Sequence, residues 1–156
     1  MLRNFALGFV FLACASGTAA SEEFNADAVH AKLTDAFNTR QWETFKGLLA
    51  DDIVFHRANA PEVYVGLDAV IEIFKGTIGA PDQWNVKLAI LESSHEFVGK
   101  DGRVVERGDF AITAGADDGS CYRGSYMMTW VPQADSDWRL QMLAWQDVET
   151  DIANCK

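Results

Sequence analysis

The stretch LADDIVFHR, Leu49–Arg57, divides this sequence into two halves with different periods. Before it, apolar residues recur at helical steps; well after it, they alternate. The stretch itself reads as an acidic turn, Asp51 and Asp52, opening a short strand from Ile53 to Arg57 that ends in a histidine and an arginine. Side chains alternate along a strand, so Ile53, Phe55 and Arg57 share one face while Val54 and His56 share the other.

Upstream, Asn25 or Asp27 can cap a helix whose Val29, Leu33 and Phe37 fall four apart and form one buried stripe. A further turn or two follows from Gln41, with Trp42, Phe45 and Leu49 facing one side. Downstream, past a loop with Pro61, GLDAVIEIFKG (Gly66–Gly76) predicts a third helix that turns Val70, Ile71 and Phe74 inward between two glycines. From Trp84 the period becomes two. WNVKLAIL starts a strand that runs towards Phe97, KDG turns the chain at Lys100–Gly102, and Val104–Thr113 returns. GADDG at Gly115–Gly119 turns it again, Ser120–Val131 runs on, PQADSD makes the last turn, and Trp138–Val148 closes the set. Helices first and long strands second define an α+β class, with a sheet that curls around three helices and leaves a concave pocket at its open end.

The first twenty residues carry one basic residue, an apolar run from Phe5 to Cys14 and small residues at Thr18 and Ala20. That layout predicts a signal peptide cleaved after Ala20, and its apolar run is too short to span a bilayer. FLAC, Phe11–Cys14, offers the alternative of a lipoprotein anchored at Cys14, although Phe stands where such signals usually carry Leu. The remaining 136 of 156 residues, 21–156, suit one domain. A formal charge of −10, or −11 once Arg3 leaves, argues against nucleic acid and anionic membrane surfaces. Cys121 and Cys155 are then the remaining cysteines of a periplasmic or secreted chain, and a disulfide between them is the expected use. His30, His56 and His95 have no metal-ligand spacing, so neither a metal nor a cofactor is expected.

The order of elements, together with LADDIVF, GLDAVIEIF and WRLQMLAWQDVE, resembles the nuclear-transport-factor-2-like superfamily over about residues 25 to 149. Its SnoaL-like and steroid-isomerase-like branches look nearest. The resemblance implies a cone-shaped, cystatin-like α+β barrel, and its members include isomerases, cyclases, dehydratases and non-catalytic binders, so the fold does not choose a reaction. In the steroid isomerases a strand carboxylate is the base, and a tyrosine and a protonated aspartic acid stabilise the oxyanion. Aligned on Ala50–Asp52, this chain has Leu33 for the tyrosine and Arg57 for the base; the later strand, aligned less securely, puts Tyr126 at the protonated acid. A guanidinium cannot take a proton from a carbon acid at neutral pH, so that mechanism is expected to be absent. Ala144–Gln146 also lacks the histidine that many SnoaL-like members carry there.

The resemblance turns Phe55 and Arg57 into the cone. An arginine fork in a cavity suits a carboxylate, phosphate or sulfate; alternatively it pairs with Glu62, Glu106, Asp109 or another acid. His56 lies on the opposite face, His95 reads as surface, and His30 falls on the exposed side of the first helix. Glu106, Gly108 and Phe110 fall on one side of their strand and Arg107 and Asp109 on the other; paired carboxylates can do acid and base work when one is buried, but such alternation is more often a solvated face with Arg107 and Asp109 as neighbours. Tyr126, Met128 and Trp130, with Trp145 on the last strand, form an aromatic and methionine stripe that fits a pocket wall, a core or a dimer face. The expected function is binding of a small apolar or amphipathic, even anionic, molecule, with Phe55, Arg57, Tyr126, Met128, Trp130 and Trp145 as contacts, in a homodimer. The alternatives are an isomerase, cyclase or dehydratase using Tyr126 with His56 or Asp109, and a protein-interaction module working through the sheet face.

Overall fold

The computed structural model describes residues 23–78, 86–115, 120–134 and 137–150. The expected signal segment, Trp84 and Cys155 lie outside them. The chain runs α1 (Ala26–Asn38), α2 (Trp42–Gly47), β1 (Leu49–Arg57), β2 (Val63–Val65), α3 (Leu67–Ile78), β3 (Lys87–Val98), β4 (Arg103–Ala114), β5 (Ser120–Pro132) and β6 (Trp138–Thr150). The six strands form one curved, unclosed sheet in the order β2-β1-β6-β5-β4-β3. Neighbours are antiparallel except β1 and β6, which run parallel.

That parallel pair joins the two halves of the sequence. Phe55 stands beside Leu143 and Arg57 beside Trp145, so the end of β1 lies against the last strand rather than at a free edge. β1 begins at Leu49, four residues before the expected Ile53, because Leu49 already pairs with Leu140; the register shifts before Val54, across the exposed Asp51 and Asp52. The loop expected around Pro61 also holds a strand, β2, whose three residues pair with β1 but are too few to carry an alternation signal.

Asn25 caps α1 by accepting the Ala28 amide at 3.0 Å. The helices meet the sheet through a cluster of rings, with Phe74 of α3 edge-on to Phe37 of α1 at 6.0 Å and to Phe45 of α2 at 5.4 Å. Asn38, at the end of α1, grips the edge strand β3 with both halves of its amide. It donates to the Leu88 carbonyl at 3.0 Å and accepts the Leu88 amide at 2.7 Å. These backbone groups are thereby taken out of reach of a further strand.

Two strand glycines mark where the sheet is drawn tightest. A Cβ on Gly108 would stand 2.2 Å from the Glu92 carbonyl oxygen and 2.7 Å from the Tyr126 hydroxyl, and one on Gly124 would stand 1.8 Å from the Gln146 carbonyl oxygen. Tyr126 is Gly108's direct partner in the β4–β5 ladder, so its ring lies across the space a side chain would fill. Gly108→Ala should therefore lower the urea midpoint by the equivalent of about 1–3 kcal/mol, the usual range for overpacking. Gly47→Ala, with nothing within 4 Å of the added carbon, should not. Equal midpoints for the two variants would mean that β4 gives way at Gly108 without cost.

Candidate functional site

Among the described residues, two charged side chains are buried, Glu106 and Asp147. Each is compensated, as a buried carboxylate must be. Glu106, on β4 and 0 % exposed, accepts from the Tyr126 hydroxyl through Oε1 and from Trp130 Nε1 through Oε2 at 2.9 Å, both donors being on β5. His30 Nε2 on α1 comes within 2.5 Å of Oε1, a contact that lacks the alignment of a hydrogen bond. Burial pushes this carboxyl up, but His30, Tyr126 and Trp130 outweigh it and hold it below the usual carboxylate range. Tyr126 is driven the other way, well above an ordinary phenol, by burial and by the Glu106 charge. His30 is thus not on the exposed side of α1 as the sequence suggested; its side chain is 12 % exposed. Glu106 is likewise not part of a solvated face, while Arg107 and Asp109 beside it are exposed.

Asp147 lies at the far end of the sheet, on β6. Arg57 grips it side-on, with Nε donating to Oδ1 at 2.9 Å and Nη2 to Oδ2 at 2.7 Å, and Asn59 Nδ2 donates to the Asp147 carbonyl at 3.0 Å. The bond to Asp147 raises the arginine's pKa further despite burial. Of the acids weighed in the sequence, Arg57 thus takes neither Glu62, Glu106 nor Asp109. The carboxylate it does take shares the face of Leu143 and Trp145, a parity the last strand already carried.

Around this pair opens a cavity of about 470 Å³ at the mouth of the cone. Its walls include Phe55, Tyr64, Ile73, Phe74, Tyr122 and Trp145, with Arg57, Glu62 and Asp147 as charged members. Deeper in the cone lies a second space of about 20 Å³, lined by Leu33, Tyr126 and Met128 among apolar residues. That is room for about one water. Phe37, Phe74 and Trp145 border both spaces and form the partition between them.

The expected contacts are therefore divided. Phe55, Arg57 and Trp145 meet at the mouth, Tyr126 and Met128 face the small inner space, and Trp130, fully buried, borders neither. His56 is half-buried on the reverse face of β1 and Asp109 is exposed, so neither lines a cavity with Tyr126. Tyr64 and Tyr122 were missed because they sit near turns, where alternation gives little direction. Cys121 is fully buried and disulfide-bonded. Among the described residues no group of three or more His, Cys, Asp or Glu could hold a metal ion, and no helix is long and apolar enough to cross a membrane.

A helix-backed, unclosed cone with a cavity at its mouth is the architecture of a known class. The profile described as a SnoaL-like domain matches residues 30–139, and the chain belongs to that family. Its fold is that of the wider nuclear-transport-factor-2-like superfamily. ActVI-ORFA from Streptomyces coelicolor superposes with a TM-score of 0.68 at 7 % identity, over 77 % of this chain and 92 % of that one. Aln2 from another Streptomyces species gives 0.67 at 15 % identity, over 77 % and 86 %. A putative scytalone dehydratase from Novosphingobium aromaticivorans gives 0.68 at 15 %, over 80 % and 83 %. At these identities the likeness is one of fold. No curated protein matches the sequence.

The Glu106 cluster has a measurable signature. Its folded pKa lies below the unfolded value, so the stability it contributes is complete above about pH 4.3 and is lost as pH falls through the folded value. Glu106→Gln should cost about 3 kcal/mol at pH 7, the size typical of a broken buried pair, and should flatten the acid limb of stability against pH. Urea titrations from pH 7 to pH 3 would measure both, and parallel acid limbs for the variant and the unaltered protein would refute the assignment.

Proposed function

We propose that the protein binds a small amphipathic molecule in the mouth cavity. Its apolar body would lie against Phe55, Phe74 and Trp145, with its polar end towards the charged side of the mouth, where Arg57, Glu62 and Asp147 stand. The observation that carries this reading is the cavity: about 470 Å³ of aromatic-walled space with a few fixed polar groups, the usual make-up of a small-molecule site. Arg57 spends its Nε–H and one Nη2–H on Asp147, which leaves the second Nη2–H and the two of Nη1 as donors for a ligand oxygen. The narrower form, an anionic ligand, has to share the guanidinium with a carboxylate already in place.

An isomerase, cyclase or dehydratase acting in the same cavity is the second reading. What favours it is Asp147, a carboxylate 6 % exposed in the cavity region of a fold on which one similar protein is named a putative dehydratase. To accept a proton it would first have to leave the Arg57 fork. Secretion, with cleavage after Ala20, is part of the proposal and is supported by the disulfide at Cys121, for which Cys155 is the proposed partner. A homodimer through the outward sheet face is supported by Met127, Thr129, Val131 and Ala144, a half-buried and mostly apolar strip alternating with the core residues.

Native mass spectrometry of the protein purified gently from its own host tests ligand and assembly together. A dimer carrying a small organic mass is expected; Arg57→Ala should lose that mass and His56→Ala should keep it. The reverse pattern would place the site on the other face of β1.

A further inference from the structure

The charges around the mouth cavity do not suit an acid. Its charged lining residues among those described are Arg57, Glu62 and Asp147. Arg57 and Asp147 cancel through two hydrogen bonds, so Glu62, exposed at the rim, leaves the lining with a net negative charge. Glu149, directly opposite the lining residue Tyr122 in the β5–β6 ladder, adds a further carboxylate on the same face. An incoming carboxylate would have to draw Arg57 off Asp147 and leave that nearly buried acid unpaired, which is the costly outcome for a buried ion pair. The chain's formal charge of −10 also favours the approach of cations.

The walls have the complementary property. Phe55 stacks on Tyr64 with centroids 5.9 Å apart and planes 19° apart, while Trp145 stands across Phe55 at 4.9 Å and 73° and across Phe74 at 5.6 Å and 73°. These rings cover one another's faces and edges, so together they form a continuous apolar wall without a charge of its own. From this lining charge and apolar wall, and resting on the pocket-binding reading above, we infer that the molecule bound is a cation: an amine or quaternary ammonium whose apolar body lies on the rings around Trp145 and whose charge faces Glu62. The Arg57–Asp147 pair then fixes the wall rather than the charge of the ligand.

Isothermal titration calorimetry on the full chain at pH 7 with 4-phenylbutylamine, 4-phenylbutanol and 4-phenylbutyrate separates charge from shape, since the three share one apolar body. The amine should bind about tenfold tighter than the alcohol, with the acid weakest. Glu62→Gln should narrow the amine-to-alcohol ratio about threefold, while Glu43→Gln on α2, an exposed acid away from the mouth, should not. Equal affinities for the three probes, or the acid binding tightest, would overturn the cation assignment and leave the pocket standing. An unchanged ratio in Glu62→Gln would overturn the role of Glu62. No binding of any of the three would overturn the pocket reading with it.

Discussion

A carboxylate taken out of water must be met by donors, and much of this molecule is arranged around meeting one. Glu106 sits at zero exposure on β4, and its partners come from both layers: Tyr126 and Trp130 on the neighbouring strand, His30 from the helix packed across it. The His30 contact cannot form before α1 has docked on the sheet, so the cluster ties helix placement to strand pairing. Gly108 belongs to the same constraint. A side chain there would run into the Glu92 carbonyl and the Tyr126 ring that reaches Glu106, so the glycine is required by what stands beside it rather than by its own backbone angles.

With the Glu106 end closed, the opposite end of the cone has different freedoms. Phe37, Phe74 and Trp145 fill the throat, and the space beyond them holds about 20 Å³, too little for a substrate. The roomier space of the cone lies outside that partition, at the mouth, where β1 and β6 run parallel and set Arg57 beside Trp145. The Arg57–Asp147 pair does at the mouth what the Glu106 cluster does at the base: it satisfies a buried acid and fixes two strands together. The difference is exposure. The Arg57 side chain is 40 % exposed, so one of its donors still faces outward while its charge is balanced.

How much of this was legible in the sequence follows from which residues carry periodicity. The helical stripe Leu33 and Phe37 and the long alternating runs of the second half gave the α+β class; alternation put Phe55 and Arg57 on one face, the family resemblance turned that face inward, and the side of Trp145 stayed open. The short β2 and the early start of β1 were hidden, because three residues cannot display a period and a register shift across two aspartates mimics a turn. The Glu106 cluster was hidden for another reason. Charged residues are read as solvated because they nearly always are, and nothing local distinguishes Glu106 from Arg107 or Asp109 except parity. Its signal was present across strands: an acid two residues from a strand glycine, with a tyrosine and a tryptophan four residues apart on the next strand. Reading it needs the β4–β5 register, which only pairing supplies.

The same reasoning bears on why shared fold leaves chemistry open here. The alignment that puts Leu33 and Arg57 at the steroid isomerases' tyrosine and base removes a hydroxyl from the helix and a free carboxylate from the first strand. The buried carboxylates the fold does contain are each already committed, Glu106 to three partners and Asp147 to a bidentate fork. A general base must be free to take a proton, and each of these would first have to give up the donors it already holds. What the fold sets in place at the mouth is aromatic packing whose mutual angles the core determines, beside an ion pair that balances itself, so proton transfer to Asp147 would have to start by breaking that pair.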